Sequence, residues 1–283
     1  MKKNIEKRSK GKRGPLSWLL YILVITAAVI TFAILIFLIA YILIKGIPNL
    51  KPSLFSLTYT SENVSLTPAL INTLFITAVS LIIAVPIGVG SAIYLVEYAK
   101  RGNKIVGVIR MTTETLSGIP SIVYGLFGML FFVKSLHMGK SVLAGSLTLA
   151  IMILPLIMRT CEEALKAVPD SYREGSFGLG AGRVRTIFQI ILPAAMPGIL
   201  SGIILAIGRI VGETAALMYT AGTVANVANG LFGSGRTLAF HMYNLSSEGF
   251  HTDEAYATAV VLLVIVMIIN WLSGRVAKRL TKA

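Results

Sequence analysis

Five uncharged stretches of 18–29 residues, at 16–44, 68–96, 115–133, 141–158 and 255–273, dominate this sequence, and a sixth apolar stretch lies at 193–220. About 20 apolar residues in a helix cross the hydrocarbon of a bilayer. Within lipid a chain satisfies its own backbone hydrogen bonds, so runs of this length dictate helices. The chain therefore reads as an all-α membrane protein with about six transmembrane helices. Only 13% of its residues are charged and 55% are apolar, whereas soluble domains carry roughly a quarter charged residues. The net charge of +14 raises the question of nucleic acid. The cations sit in short segments between apolar runs rather than on one continuous face, so the expected partner is membrane lipid and no nucleic acid.

Six crossings put both termini on one side. With the N-terminus inside, the tail 1–15, the segments 100–110 and 159–185 and the tail 275–283 carry 20 Lys and Arg, against 5 outside: Lys45, Lys51, Lys134, Lys140 and Arg236. That bias places both termini and the basic tails in the cytoplasm. The first stretch follows a basic start as a signal peptide does, but signal cores span about 7–15 residues, so 16–44 is expected to be a retained helix. At roughly 43 Å against a core of about 30 Å it should tilt or extend past the membrane.

Glycine and proline interrupt several stretches: Pro86, Gly88 and Gly90 in the second, and Gly118, Pro120, Gly125 and Gly128 in the third. Close helix contact explains them; so does a hinge beside a cavity. Cys161 is the one cysteine and is read as a structural thiol, and no metal ligand set accompanies it. Glu114 and Arg159, at inner helix ends, read as snorkelling side chains. His137, His241 and His251 fall outside and receive no role. The outer segment 223–254 is rich in Gly, Asn and Ser and suits either a partner contact or a mobile loop.

The cytoplasmic segment 159–193 reads RTCEEALKAVPDSYREGSFGLGAGRVRTIFQIILP. Pro169 should end a helix, and Ser171 and Glu174 have capping-box spacing for a new one. Gly178, Gly180 and Gly182 should stop it, with a second short stretch at 184–191 leading into Pro193. Glu174, Gly180, Ile190, Leu192 and Pro193 stand at the spacing of the EAA loop, and the segment resembles that loop of bacterial ABC importer permeases. Gly175 and Ser176 replace its two alanines. The resemblance implies the type I importer permease fold (MetI-like), a permease domain over 16–274 and a coupling loop at 159–192. It also implies that Ser171, Tyr172, Arg173, Glu174, Gly175, Ser176, Phe177 and Gly180 serve ATPase coupling. Tyr172, Phe177 and Leu179 would anchor the contact, ringed by Arg173, Glu174, Arg183 and Arg185, or would pack on the protein's own helix ends.

This chain lacks the ATP chemistry. Gly139, Lys140 and Ser141 have the order that ends a phosphate-binding loop, but Lys134 occupies the place of its first glycine and the segment lies outside. ATP and Mg are therefore expected on a partner ATPase, with no catalytic residue and no cofactor here.

Arg209 and Glu213 interrupt the sixth stretch. Charges inside a span default to functional candidates. Four apart on a helix, these two share a face and can neutralise each other, either as a lock on helix contacts or as an oxyanion site from which Glu213 releases the arginine. Residues 212–222 (GETAALMYTAG) and 117–128 (SGIPSIVYGLFG) resemble the phosphate-specific (Pst) permeases, A-type. That resemblance implies a heterodimer with a C-type permease, two ATP-binding subunits, an extracytoplasmic phosphate-binding protein and a bacterial inner-membrane location. It puts Arg209, Glu213 and Thr214 on the substrate pathway. Ala216 stands where that group commonly has proline, which implies a straighter helix. Sulfate or molybdate permeases, and an ATP-independent transporter or channel, are the alternatives. A membrane-embedded enzyme would need an acidic or histidine cluster that the 12 acidic residues do not form.

Overall fold

The computed structural model describes residues 15–100 and 102–282. The basic tail expected at 1–15 lies, Pro15 apart, outside the described residues, as do Arg101 and Ala283. Among the described residues all regular structure is helical. The chain forms two units, one ending at Lys45 and one beginning at Gly46. The first is the bulk of α1 (Pro15–Gly46), whose side chains from Leu16 to Ile39 are exposed nearly all round. A helix apolar on every side needs lipid around it.

In the second unit, α2 (Thr67–Ile93) ends in a π-turn, Tyr94–Tyr98. It is followed by α3 (Lys104–Ser117), α4 (Ser121–Gly128) and a second π-turn, Met129–Ser135. Next come α5 (Val142–Lys166), α6 (Asp170–Gly178), α7 (Arg183–Thr186) and a third π-turn, Ile187–Ile191. Then α8 (Leu192–Val211), α9 (Ala215–Thr220), α10 (Leu238–Glu248) and α11 (Thr252–Lys282) complete the chain. Among the described residues five helices are long and apolar enough to cross a membrane, and a bent pair supplies a sixth.

That sixth crossing corrects the helix expected at 115–133. The chain turns by 102° between Lys104–Ser117 and Ser121–Ser135, because Pro120 has no N–H to donate and drives the residue before it out of the helical region. The stretch 193–220 is likewise two helices, broken at 212–214. In the cytoplasmic loop the separate short stretch expected at 184–191 is instead the start of the next span, which runs unbroken as Arg183–Val211. The π-turn Ile187–Ile191 carries the helix up to Pro193 without a stop. Arg159–Lys166 of the same loop continue α5, and α11 runs on through the residues read as a basic C-terminal tail.

The core lies where α2, α5, α8 and α9 meet, around Ile76, Leu149, Ile153, Ile157, Ile210 and Leu217. The close-contact reading of the glycines holds at two of them, and a third lies in the bend. A Cβ at Gly88 would lie 2.6 Å from Ile157 and one at Gly125 2.8 Å from the Ala216 Cα, so these residues permit close helix contact, whereas Gly118 sits in the bend.

A smaller core joins the segment after α1 to α10 and α11 through Leu54, Leu66, Leu238 and Leu245. The outer segment 223–254, read as either a partner contact or a mobile loop, contains α10. Asn72 of α2 pins it, donating to the Asn226 and Arg236 carbonyls at 3.0 and 3.2 Å and accepting from Ala228 N at 2.9 Å. His241 is buried within α10, its Nε2 3.2 Å from the Val64 carbonyl. Burial and the nearby Arg236 push its pKa down to about 3, so it is neutral.

Candidate functional site

Two sites carry the functional candidates. The first is the cytoplasmic hairpin of α6 and α7. Here α6 starts at Asp170, with Pro169 as its cap and no side-chain cap bond. Ser171 is thus already inside the first turn, and the expected capping box with Glu174 does not form. The end of α6 follows the sequence. Gly180 has φ +81, its N–H donates to the Phe177 carbonyl at 2.9 Å, and Ala181 N–H reaches the Ser176 carbonyl at 3.1 Å. This is a Schellman closure, which needs a left-handed residue and so favours glycine.

Ser176 faces inward and shares a 2.8 Å hydrogen bond with Thr186, tying α6 to α7. Gly175 lies on the open side, with nothing near the place of a Cβ. Tyr172, Phe177 and Leu179 are exposed, Leu179 by 91%. Tyr172 and Phe177 also line pockets against the chain's own helices, Tyr172 beside Ala195 and Pro197 and Phe177 beside Val106, whereas Leu179 stands clear of them.

Arg173 departs from the expected rim. Its Nη2 is 2.6 Å and its Nε 3.1 Å from Glu97 Oε1 in the π-turn closing α2. It also donates to the carbonyls of Val168 and Leu165 and to Asp170. Its hydrogen bond to Glu97 holds its pKa above the ordinary arginine value, so the charge is permanent. Nearby, Glu162 takes Arg110 and Lys166 at 2.6 Å each. Neither Glu97 nor Glu162 was legible as a site residue. The one signal, for Glu97, was a lone acidic residue at the edge of a basic inner segment; Glu162 has acidic neighbours and carried none.

The second site is the break at 212–214. Gly202 of α8 presses on Thr160 of the antiparallel α5. Arg209, seven residues or roughly 10 Å further along, is therefore level with the middle of α5. It is exposed on this chain, and among the described residues it has no ion-pair or hydrogen-bond partner. The Tyr124 phenol is close enough to feel its charge, and donates at 2.8 Å to the Leu116 carbonyl across the α3–α4 bend.

Glu213 does not neutralise Arg209. The helix stops between them, so the four-residue spacing no longer aligns the two side chains. Glu213 is buried and its Oε1 accepts from Ala216 N at 3.1 Å, capping α9. Thr214 is the cap position before α9 (Ala215–Thr220), and its side chain makes no cap bond. The break precedes Ala216, and below it the helix runs from Leu192 to Val211 without interruption. Because α4 packs against α9, with Gly125 on Ala216, the two broken spans stand side by side. Discontinuous helices meeting at mid-membrane are a recurrent design for substrate sites in transporters.

The GKS triplet at 139–141 proves to be a helix start, with Ser141 Oγ accepting from Ala144 N at 3.2 Å. Among the described residues no three His, Cys, Asp or Glu side chains are grouped to hold a metal. Arg159 pairs with Glu163 in the open, at 3.0 Å.

Residues 84–282 match the family described as the binding-protein-dependent transport system inner membrane component. The chain belongs to that family. It is 35% identical over 278 residues to the probable ABC transporter permease protein YqgI of Bacillus subtilis, covering 90% of this chain and 94% of that one. It is 37% identical over 205 residues to the phosphate transport system permease protein PstA 1 of Mycobacterium tuberculosis, covering 71% and 67%. An inward-facing structure of the MetNI methionine ABC transporter shares its fold, with a TM-score of 0.64 at 20% identity, over 76% of this chain and 96% of that one. This chain is thus a PstA-like, multi-pass inner-membrane permease subunit of an ABC importer with the MetI-like fold. Membership implies ATP-binding, substrate-binding and permease partners.

Proposed function

We propose that this subunit passes inorganic phosphate across the cytoplasmic membrane by alternating access, as one half of a heterodimer with a homologous C-type permease. Two ATP-binding subunits hold ATP and Mg and do the hydrolysis; this chain holds no cofactor. A phosphate-binding protein delivers the ion from outside. The observation that carries the reading is Arg209: a guanidinium level with mid-membrane, exposed on the subunit surface and without an acidic partner among the described residues. A charge at that depth costs several kcal/mol against lipid, so its exposed face belongs against the second permease, along a wet path. A guanidinium fork suits a tetrahedral oxyanion. Glu213 and Thr214 serve by holding the break beside it, Glu213 through its cap on α9. Relatives named as phosphate permeases support the choice of ion.

ATP-driven closure of the partner ATPases would push on Tyr172, Phe177 and Leu179, with Ser171, Glu174, Gly175, Ser176 and Gly180 shaping the hairpin that presents them. The test is Arg209→Gln in the assembled importer. Phosphate uptake should vanish while both permeases and the ATPase still co-purify; normal uptake would overturn the assignment. Competition by sulfate and molybdate separates the oxyanions, and uptake that survives ATP depletion would favour an ATP-independent transporter.

A further inference from the structure

The hairpin of α6 and α7 has to hand its motion to a spanning helix, and its contacts with the bundle are few. Within the hairpin α6 packs chiefly on α7 and the π-turn Ile187–Ile191. Among α6, α3 and the inner end of α2 there is instead a cavity of about 740 Å³, with Lys100, Val106, Arg110 and Phe177 on its walls. A gap without atoms on one side transmits little force.

Arg173 and Glu97 meet on the wall of that cavity. Theirs is the only side-chain hydrogen-bonded link from α6 to the end of α2 among the described residues, with three contacts of 2.6, 3.1 and 3.3 Å. The two side chains are 16% and 9% exposed, so salt screens them little. Two-point, charge-assisted bonding also fixes direction as well as distance. On its other edge Arg173 holds the Val168 and Leu165 carbonyls at 2.9 and 3.1 Å. One guanidinium therefore locks the α5–α6 corner to α2.

We infer that Glu97 is the intramolecular receiver of the coupling motion: through the Arg173–Glu97 pair, α6 and the inner end of α2 move as one body. The π-turn Tyr94–Tyr98 places Glu97 at that inner end, where a push on α6 becomes a tilt of α2. From there α2 acts on α5, its main packing partner. Glu97 is a positioning residue in this scheme and touches neither the ion nor the ATPase.

The inference rests on the function proposed above, and the experiment separates the two. The complete importer, with its ATPase, second permease and binding protein, is reconstituted in vesicles, and ions taken up per ATP hydrolysed are counted. Uptake by the unmodified complex tests the function, and its ratio is read with whichever oxyanion that complex accumulates. Glu97→Gln should leave the complex assembled and hydrolysing ATP while the ratio falls about tenfold, mid-range for couplings between sites. An unchanged ratio overturns the inference.

The second arm uses Glu97→Cys with Arg173→Cys, in a background where the buried Cys161 is replaced by serine. This complex should be uncoupled, and joining the two thiols with a short bifunctional maleimide should restore the ratio. A merely structural pair would give no such rescue. Cross-linking that leaves the complex uncoupled or blocks it would show that the two ends must part in the cycle, and would overturn the inference.

Discussion

Two arginines of this chain, Arg173 and Arg209, stand in opposite conditions. Arg173 is closed: a carboxylate, a second carboxylate and two carbonyls take up its donors. Arg209 is open: it lies on the subunit surface at mid-bundle with a phenol nearby and, among the described residues, no carboxylate paired with it. A closed cation fixes the elements around it. An open one in a membrane demands something that this chain does not contain, either a partner subunit or a passing anion.

The contrast can be broken most forcefully at Arg209. Arg209→Gln should reduce phosphate uptake to the assay background with assembly intact, and Arg209→Lys, a charge without the fork, should recover only part of it. Next comes the hairpin. Gly180→Trp forces a side chain onto a left-handed residue at the docking tip, so ATPase co-purification and uptake should both fall; unchanged values for both would remove the hairpin from coupling.

Stability sharpens the comparison. Arg173→Leu leaves Glu97 buried without its partner and should lower unfolding free energy by about 3 kcal/mol. Arg209→Leu should change the isolated subunit by less than about 0.5 kcal/mol. Unfolding in detergent measures both, and equal losses would erase the distinction.

A smaller effect is expected from the outer layer. The His241 pKa is about 3 in the fold and about 6.5 in an unfolded chain. The unfolded state therefore binds the proton first, and stability falls as pH drops below about 6.5, by roughly 2 kcal/mol at pH 5. His241→Gln should flatten that slope between pH 7.5 and 5. Glu213→Ala should cost less than that, about 1 kcal/mol for the lost α9 cap; a large shift on adding back a partner permease would show that Glu213 has a second role.

Much of the cytoplasmic hairpin was legible because its signals are local. Pro169 caps the start of α6 and Gly180 closes its end. The capping box failed because Asp170, one residue earlier, already begins the helix. At mid-membrane, the Arg209–Glu213 pairing failed for a related reason: the spacing argument assumes an unbroken helix, and Gly212 ends it. The outer segment looked like a loop from composition. Its order comes from Asn72, whose contacts at 226 and 228 are more than 150 residues away in sequence.

The sequence by itself determined the membrane location, the number of apolar stretches and the inside of the molecule, since hydropathy and charge asymmetry act segment by segment. It also marked the hairpin, because helix stops are set by neighbouring residues. Only the tertiary structure decided which charges are satisfied. Arg173 meets Glu97 across 76 residues and Arg209 meets no carboxylate among the described residues, and such pairings depend on how helices pack, which no local pattern encodes.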